Sequence, residues 1–305
     1  MSVFDEMQTF VKVVESGGIT AAADRMNTVK SAVSRRLSEL EARLGIQLLT
    51  RSTRRMSLTE SGQRYYEQCV RILADIDDVE AAITSESAAL KGRLRITAPV
   101  TFGVLHLASA ISDFVNQHPN LQLEVELNDR QVDLVDEGFD LAVRIADLGD
   151  SNLIARHLTP VRMAVCASPD YLRTQGTPCT PTELAEHTFL HYSNRPDSSW
   201  RYRDARGKES SLRLKPGLVA NNGSLLRELA IAGHGIVIAP TFIVYRALES
   251  GQLVALLEDC QWPRLNAFAV YPPTRHLSPR VRVFIDFLAQ RYGERPYWDN
   301  CLKGL

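Results

Sequence analysis

Lys30–Gly45 reads KSAVSRRLSELEARLG. Val33, Leu37, Leu40 and Leu44 recur at steps of four, three and four, which puts them on one stripe of an α-helix. The other side carries Lys30, Ser31, Ser34, Arg35 and Ser38. A solvated helix face is commonly filled with long ion pairs, whereas this one holds short hydroxyls and cations. Short side chains let a helix backbone approach the edges of bases, and hydroxyls and guanidinium groups supply donors there.

Upstream, Phe4, Met7, Phe10, Val11 and Val14 mark a first helix that stops at Ser16–Gly18. Thr20 is placed to cap a second helix over AAADRM, Asn27 suits a left-handed turn, and Thr28 is placed to cap the helix beginning at Val29. A short helix, a tight turn and a longer helix ended by Gly45 make a helix-turn-helix. IQLLTRSTRRMSLT, from Ile46, reads as a β-hairpin wing with a basic centre. The predicted contacts to double-stranded DNA are therefore Thr28, Lys30, Ser31, Ser34, Arg35 and Ser38 on the helix side, with Arg51, Arg54 and Arg55 on the wing.

Charge distribution agrees with this. Lys30–Arg55 holds seven cations and two anions, while the whole 305-residue chain has a net charge of −1. A basic N-terminal segment on an otherwise acidic chain is a footprint for a polyanion. Length calls for two or three domains, and the 45% apolar content is that of a globular protein. The first ten residues lack the pattern of a secretory signal, and no apolar run approaches a bilayer span. Five widely spaced cysteines fit a reduced, cytoplasmic chain.

The stretch GGITAAADRMNTVKSAVSRRLSELEARLGIQLLTRSTRRMSLTESG, Gly17–Gly62, resembles the N-terminal domain of LysR-type transcriptional regulators. The domain order resembles theirs along the whole chain. Two positions depart from the pattern: Val29 stands where Ser is common and Lys30 where Gln is common. A lysine cannot make the paired donor and acceptor contact of Gln with adenine. The resemblance implies operator DNA with dyad-related half-sites, a homodimer through the linker helix, and further assembly into a homotetramer. RNA polymerase is a further candidate partner.

From Thr59 a helix runs to about Ala89. Tyr65, Cys69, Ile72, Ile76, Val79 and Ile83 alternate steps of four and three, a heptad seam for a partner helix. The same stripe also suits a helix lying on its own domain. Lys91-Gly92 reads as a hinge.

Beyond the hinge, strands and helices alternate, which predicts an α/β region with mixed, largely parallel sheets. The resemblance implies two subdomains joined by two crossovers, and hence three parts. These are a mostly α winged helix-turn-helix domain over 1–58, a linker helix over 59–90 and an effector-binding region over 91–305. Subdomain I would take 93–161 and 267–305, and subdomain II 162–266. Open α/β sheets bind ligands beyond the carboxyl ends of their strands. There lie Pro99, Val100, Thr101 and Phe102, then Asn128, Arg144, Asn221, Asn222, Pro240 and Thr241, with Tyr192 and Trp200 as an apolar wall. Helix N-termini at these ends favour a small anionic effector carrying a carboxylate.

Enzymatic motifs fail. His187 and His191 in HTFLH would lie about 13 Å apart on a strand, too far to share a metal. The GHG at Gly233–Gly235 precedes a strand instead of opening a helix. No catalytic residue, metal or cofactor is expected. A two-lobed binding protein or transferase, and a regulator gated by oxidation of Cys166 and Cys179, are the competing readings.

Overall fold

The computed structural model describes residues 2–51, 56–84, 90–130, 132–146, 153–195, 198–273 and 277–300. The chain divides into two compact units, Met1–Gly92 and Arg93–Leu305.

In the first unit, α1 (Val3–Glu15) opens on a reciprocal cap: Asp5 N–H donates to Ser2 Oγ and Ser2 N–H to Asp5 Oδ2, both at 3.2 Å. α2 (Ile19–Arg25) and α3 (Lys30–Leu44) follow. The turn between them is closed by Asn27 at φ 49, with Asn27 N–H donating to Asp24 O and Thr28 N–H to Ala23 O. This corrects both predicted threonine caps. Thr28 is spent on ending α2, so Val29 precedes α3 without a side-chain cap, and Gly18, not Thr20, precedes α2. Gly45 ends α3 at φ 70. Val33, Leu37 and Leu40 are buried against Phe10, Val13, Ala22, Ala23 and Leu48.

β1 (Leu49–Arg51) and β2 (Met56–Leu58) pair antiparallel, with Thr50 opposite Ser57. α4 (Glu60–Thr84) begins on the Thr59 hydroxyl, which accepts from Gly62 N–H at 2.9 Å. A methyl at Gly62 would stand 1.9 Å from Leu48 O, so the start of α4 requires glycine to lie this close to the strand entrance. Cys69 is buried in the unit's own core and Tyr65 packs there, 5.5 Å from the Phe10 ring. The predicted seam thus divides. Its first two members serve their own chain, Ile72 is 42% exposed, and the side chains of Val79 and Ile83 lie outside the described residues.

The second unit has two lobes. The first contains β3 (Gly92–Ala98), α5 (Val100–Phe102), a π-helical turn over Gly103–Leu107, α6 (Ala108–Gln117), β4 (Leu121–Leu127), α7 (Leu134–Glu137), β5 (Leu141–Ala146) and β6 (Ile154–Val161). The second contains β7 (Met163–Ala167), α8 (Pro169–Gln175), β8 (Phe189–Tyr192), the hairpin β9 (Ser199–Arg203) and β10 (Glu209–Arg213), β11 (Pro216–Ala220), α9 (Gly223–Ile231), β12 (Ile236–Pro240), α10 (Thr241–Glu249) and β13 (Val254–Leu256). The chain then returns to the first lobe with β14 (Leu265–Tyr271) and α11 (Pro279–Tyr292).

The five-stranded sheets run β4-β3-β5-β14-β6 and β11-β8-β12-β7-β13. β3–β5, β8–β11 and β8–β12 are parallel, while β5–β14, β6–β14, β7–β12 and β7–β13 are antiparallel. The sheets are mixed, with β3, β5 and β6 running one way against β14, and β8, β11, β12 and β13 one way against β7, in keeping with mixed, largely parallel sheets. A parallel neighbour needs a long crossover, usually a helix. Here β6 passes into β7 through Arg162 alone, and β14 returns directly from the second lobe, so the strands at the crossings enter antiparallel to their neighbours.

Candidate functional site

The outward side of α3 keeps the character read from the sequence. Lys30, Ser31, Arg35 and Ser38 are exposed and Ser34 is half-buried. The Arg35 side chain is 73% exposed, with Glu39 at 3.7 Å. Other charges of the basic segment are structural. Glu6 is buried and accepts from Arg43 Nε at 2.9 Å and Nη2 at 2.6 Å, and Arg36 Nη1 reaches Thr9 Oγ1 at 3.4 Å. Both arginines fasten α3 to α1. Glu41 Oε1 accepts from Leu48 N–H at 2.8 Å and Leu49 N–H at 3.1 Å, fixing the entrance to the wing. Sequence reading missed the arginine roles because their partners lie 27 and 37 positions away, and the Glu41 role because its partners are backbone amides, which carry no sequence signal. Thr28 is half-buried beside the turn. Arg51 lies in β1, but its side chain, and all of Arg54 and Arg55, lie outside the described residues.

In the second unit, strand ends from both lobes meet. Asn128 N–H donates to Ala98 O at 2.9 Å, so β3 and β4 end side by side, and Ser193 N–H to Ala220 O does the same for β8 and β11. The lobes touch through Thr101 Oγ1 and Ser224 Oγ at 3.2 Å, and through Asn194 Nδ2 donating to Asp129 O at 3.0 Å. Asn194 also reaches Tyr192 Oη at 3.2 Å. Burial and then the Asp129 charge push the Tyr192 phenol up from its ordinary value. Thr101, Asn128 and Tyr192 are therefore brought together, in company with Asp129, Asn194 and Ser224. Those three were not predicted, since single polar residues in loops carry no periodic signal.

Val100 N–H, expected to face a ligand, donates to Asp129 Oδ1 at 3.0 Å. Asn128 Oδ1 accepts from Arg130 N–H at 2.8 Å, and Asn222 Oδ1 caps α9 by accepting from Leu225 N–H at 3.0 Å. Asn221 is exposed and Pro99 and Pro240 are half-buried. Arg144 donates to Arg130 O at 3.4 Å, its Nη2 is buried without a hydrogen-bond partner among the described residues, and burial pushes its guanidinium down.

Three predicted cleft residues are placed elsewhere. Trp200 belongs to the second-lobe core, edge-on to Phe189 and under the Arg195 guanidinium at 3.9 Å. Thr241 is fully buried and donates to Asp299 Oδ1 at 2.6 Å. Phe102 is buried in an aromatic cluster with Phe242, Tyr292 and Trp298. Position at a strand end does not decide which way a side chain points.

That cluster joins the lobes and includes the chain's last described turn, Tyr297–Asp299. Trp298 is fully buried, 4.4 Å from the His106 ring, and Asp299 accepts from Arg162 Nη1 at 2.9 Å. His106, in the π-turn, donates from Nε2 to Phe242 O at 2.9 Å, because a carbonyl can only accept. Nδ1 then accepts from the Tyr297 hydroxyl at 2.5 Å.

Burial pushes the His106 imidazole down to about 4. The folded chain therefore keeps it neutral while the unfolded chain protonates it near its ordinary value of about 6.5. Its contribution is complete above that value and is lost as pH falls toward 4, by about 3 kcal/mol in all. Urea unfolding of wild type and His106→Asn should show a gap between them that narrows by this amount from about pH 7.5 to about pH 4. A gap independent of pH would mean that the ring is not held neutral.

Among the described residues no group of three or more His, Cys, Asp and Glu could hold a metal. His187 lies before β8 with Nδ1 at 3.2 Å from the Tyr171 hydroxyl, and His191 is buried within β8. Cys166 is buried, Cys179 is exposed, and Cys301 lies outside the described residues.

Comparison with known proteins adds the following. Residues 4–63 match a family described as bacterial regulatory helix-turn-helix protein, lysR family, and residues 87–293 match the LysR substrate binding domain. An uncharacterized HTH-type transcriptional regulator of Haemophilus influenzae is 37% identical over 92% of this chain and 98% of its own. The HTH-type transcriptional regulator CrgA of Neisseria meningitidis serogroup C is 36% identical over 95% of this chain and 97% of its own. The solved structure of Neisseria meningitidis CrgA superposes with a TM-score of 0.61 at 35% identity, covering 94% of this chain and 97% of that one. AphB, a virulence activator of Vibrio cholerae, gives 0.58 at 28% identity, with 95% and 99% covered.

Proposed function

The chain belongs to the LysR family of transcriptional regulators, DNA-binding proteins and not enzymes, and from that premise we propose how its parts divide the work. Residues 1–58 read double-stranded operator DNA, residues 59–90 join two protomers, and residues 91–305 bind a small effector between two lobes. The regulator acts in the cytoplasm, as a dimer on dyad-related half-sites or as a tetramer of two such pairs, and meets RNA polymerase there. No described helix is long and apolar enough to cross a membrane.

The observation that carries the DNA reading is the split of α3, with Val33, Leu37 and Leu40 buried and Lys30, Ser31, Arg35 and Ser38 exposed. Arg35 reads a base edge, Ser31 and Ser34 bond bases or phosphates, Lys30 and Ser38 meet phosphates, and Thr28 fixes the turn. Arg51, Arg54 and Arg55 follow the backbone or minor groove from the wing. Selecting preferred sequences from a random duplex library with wild type and Arg35→Ala tests this. The variant should lose preference at one base position and about 1–3 kcal/mol of affinity for the wild-type sequence. Lys30→Ala should weaken all sequences alike and flatten the salt dependence by about one unit of slope. Identical selected sequences and affinities would reject α3 as the reading helix.

In the cleft, a carboxylate-bearing effector is held by Val100 and Thr101, with Asn128, Tyr192, Asn221, Asn222 and Arg144 around it. Asp129 accepts the Val100 N–H, so an effector carboxylate enters by exchange with the chain's own. Thr101 and Ser224 together offer two hydroxyl donors, one from each lobe.

A further inference from the structure

Arg162, between β6 and β7, and Leu257–Arg264, between β13 and β14, are the two crossings between the lobes, and together they line a cavity of about 260 Å3. No residue assigned above to the interlobe cleft lines it. Its apolar wall includes Met163 and Leu256. Leu257, also on that wall, sits at φ 54, a left-handed conformation costly for a branched side chain and concentrated at binding sites.

Two donors at this cavity lack acceptors among the described residues. Trp262 is 8% exposed, and its indole Nε1 is buried without a partner. Arg162 spends Nη1 on Asp299, but its Nε is buried and unmatched. Buried N–H groups are nearly always paired, so both call for an acceptor. Glu258 and Asp259, by contrast, line the cavity as exposed carboxylates that can accept from an ammonium group, with the exposed Arg264 also on its lining. A cavity of this volume admits a ligand of amino-acid size.

We propose that this hinge cavity binds a small zwitterion, an α-amino acid with an apolar side chain. The carboxylate accepts from Trp262 Nε1 and Arg162 Nε, the ammonium group meets Glu258 and Asp259, and the side chain packs on Met163 and Leu257. Such a ligand touches both crossings at once, so its affinity depends on the angle between the lobes and is coupled to occupancy of the cleft.

Calorimetric titration of the full chain with L-leucine, L-leucinamide and 4-methylpentanoate tests the site. L-leucine should bind, and each analogue, lacking one charge, should bind at least about tenfold more weakly. Glu258→Gln with Asp259→Asn should weaken L-leucine and L-leucinamide by about tenfold and spare 4-methylpentanoate. Trp262→Phe should weaken L-leucine and 4-methylpentanoate and spare L-leucinamide. Glu258 and Asp259 are exposed, so the rim variant decides the matter even where Trp262→Phe folds poorly. Absence of L-leucine binding, or L-leucine binding unchanged in the rim variant, would overturn the proposal.

Discussion

A chain carrying both Ile72→Glu and Ile76→Glu is expected to sediment as a monomer and to lose operator affinity by about 10²-fold or more. In α4, Tyr65 and Cys69 face the core of their own unit, whereas Ile72 is 42% exposed and Ile76 half-buried. Burying an isoleucine against a partner helix is worth about 1.5–3 kcal/mol, and a two-fold interface uses each residue twice. Glutamate at both positions removes that gain and places carboxylates where desolvation is costly. The fold of the first unit should survive, because its core is filled by Phe10, Val33, Leu37, Leu40, Leu48 and Cys69. Operator binding suffers because two linked half-site contacts become two independent ones. Sedimentation velocity and gel-shift titration check both effects. An unaltered sedimentation profile would place this stretch of α4 against its own chain.

Trp298→Ala is expected to cost the second unit about 3–5 kcal/mol of unfolding free energy in urea. The indole is fully buried, with ring centroids of His106 at 4.4 Å, Tyr297 at 5.0 Å, Tyr292 at 5.5 Å and Phe102 at 5.9 Å. These rings are bulky and held by one another, so the cavity penalty adds to the lost burial. Domains are stable by only about 5–15 kcal/mol, so this substitution removes a large share. Asp299 follows directly, and burial pushes its carboxyl up while Thr241 and Arg162 hold it in place. A loss below about 1 kcal/mol would show that the terminal turn is dispensable to the core.

What the sequence disclosed follows from the range of the forces involved. The α3 stripe and the left-handed Asn27 and Gly45 are local, and each was legible. Pairing of β14 with β5 and β6 joins residues more than a hundred positions apart, so the strand order of the sheets was not. At the cleft, strand ends identified the neighbourhood of Thr101, Asn128 and Tyr192 but not the direction of Trp200 or Thr241. Asp129, Asn194 and Ser224 gave no signal because polar loop residues look alike until the lobes are assembled. The terminal YWD left one trace: Tyr292, Tyr297 and Trp298 are three large aromatics within seven residues, more than a solvated tail needs.

The buried terminal turn also orders events in time. Every residue of the first unit's core has been synthesised by Gly92, and that unit lies entirely ahead of the rest of the chain. The aromatic cluster between the lobes waits for Trp298. At about 5–20 residues per second, the 206 residues from Arg93 to Trp298 take about 10–40 s to synthesise. Domains generally fold as units and N-terminal first, so the helix-turn-helix unit can form during that interval, before the two lobes have the cluster that joins them.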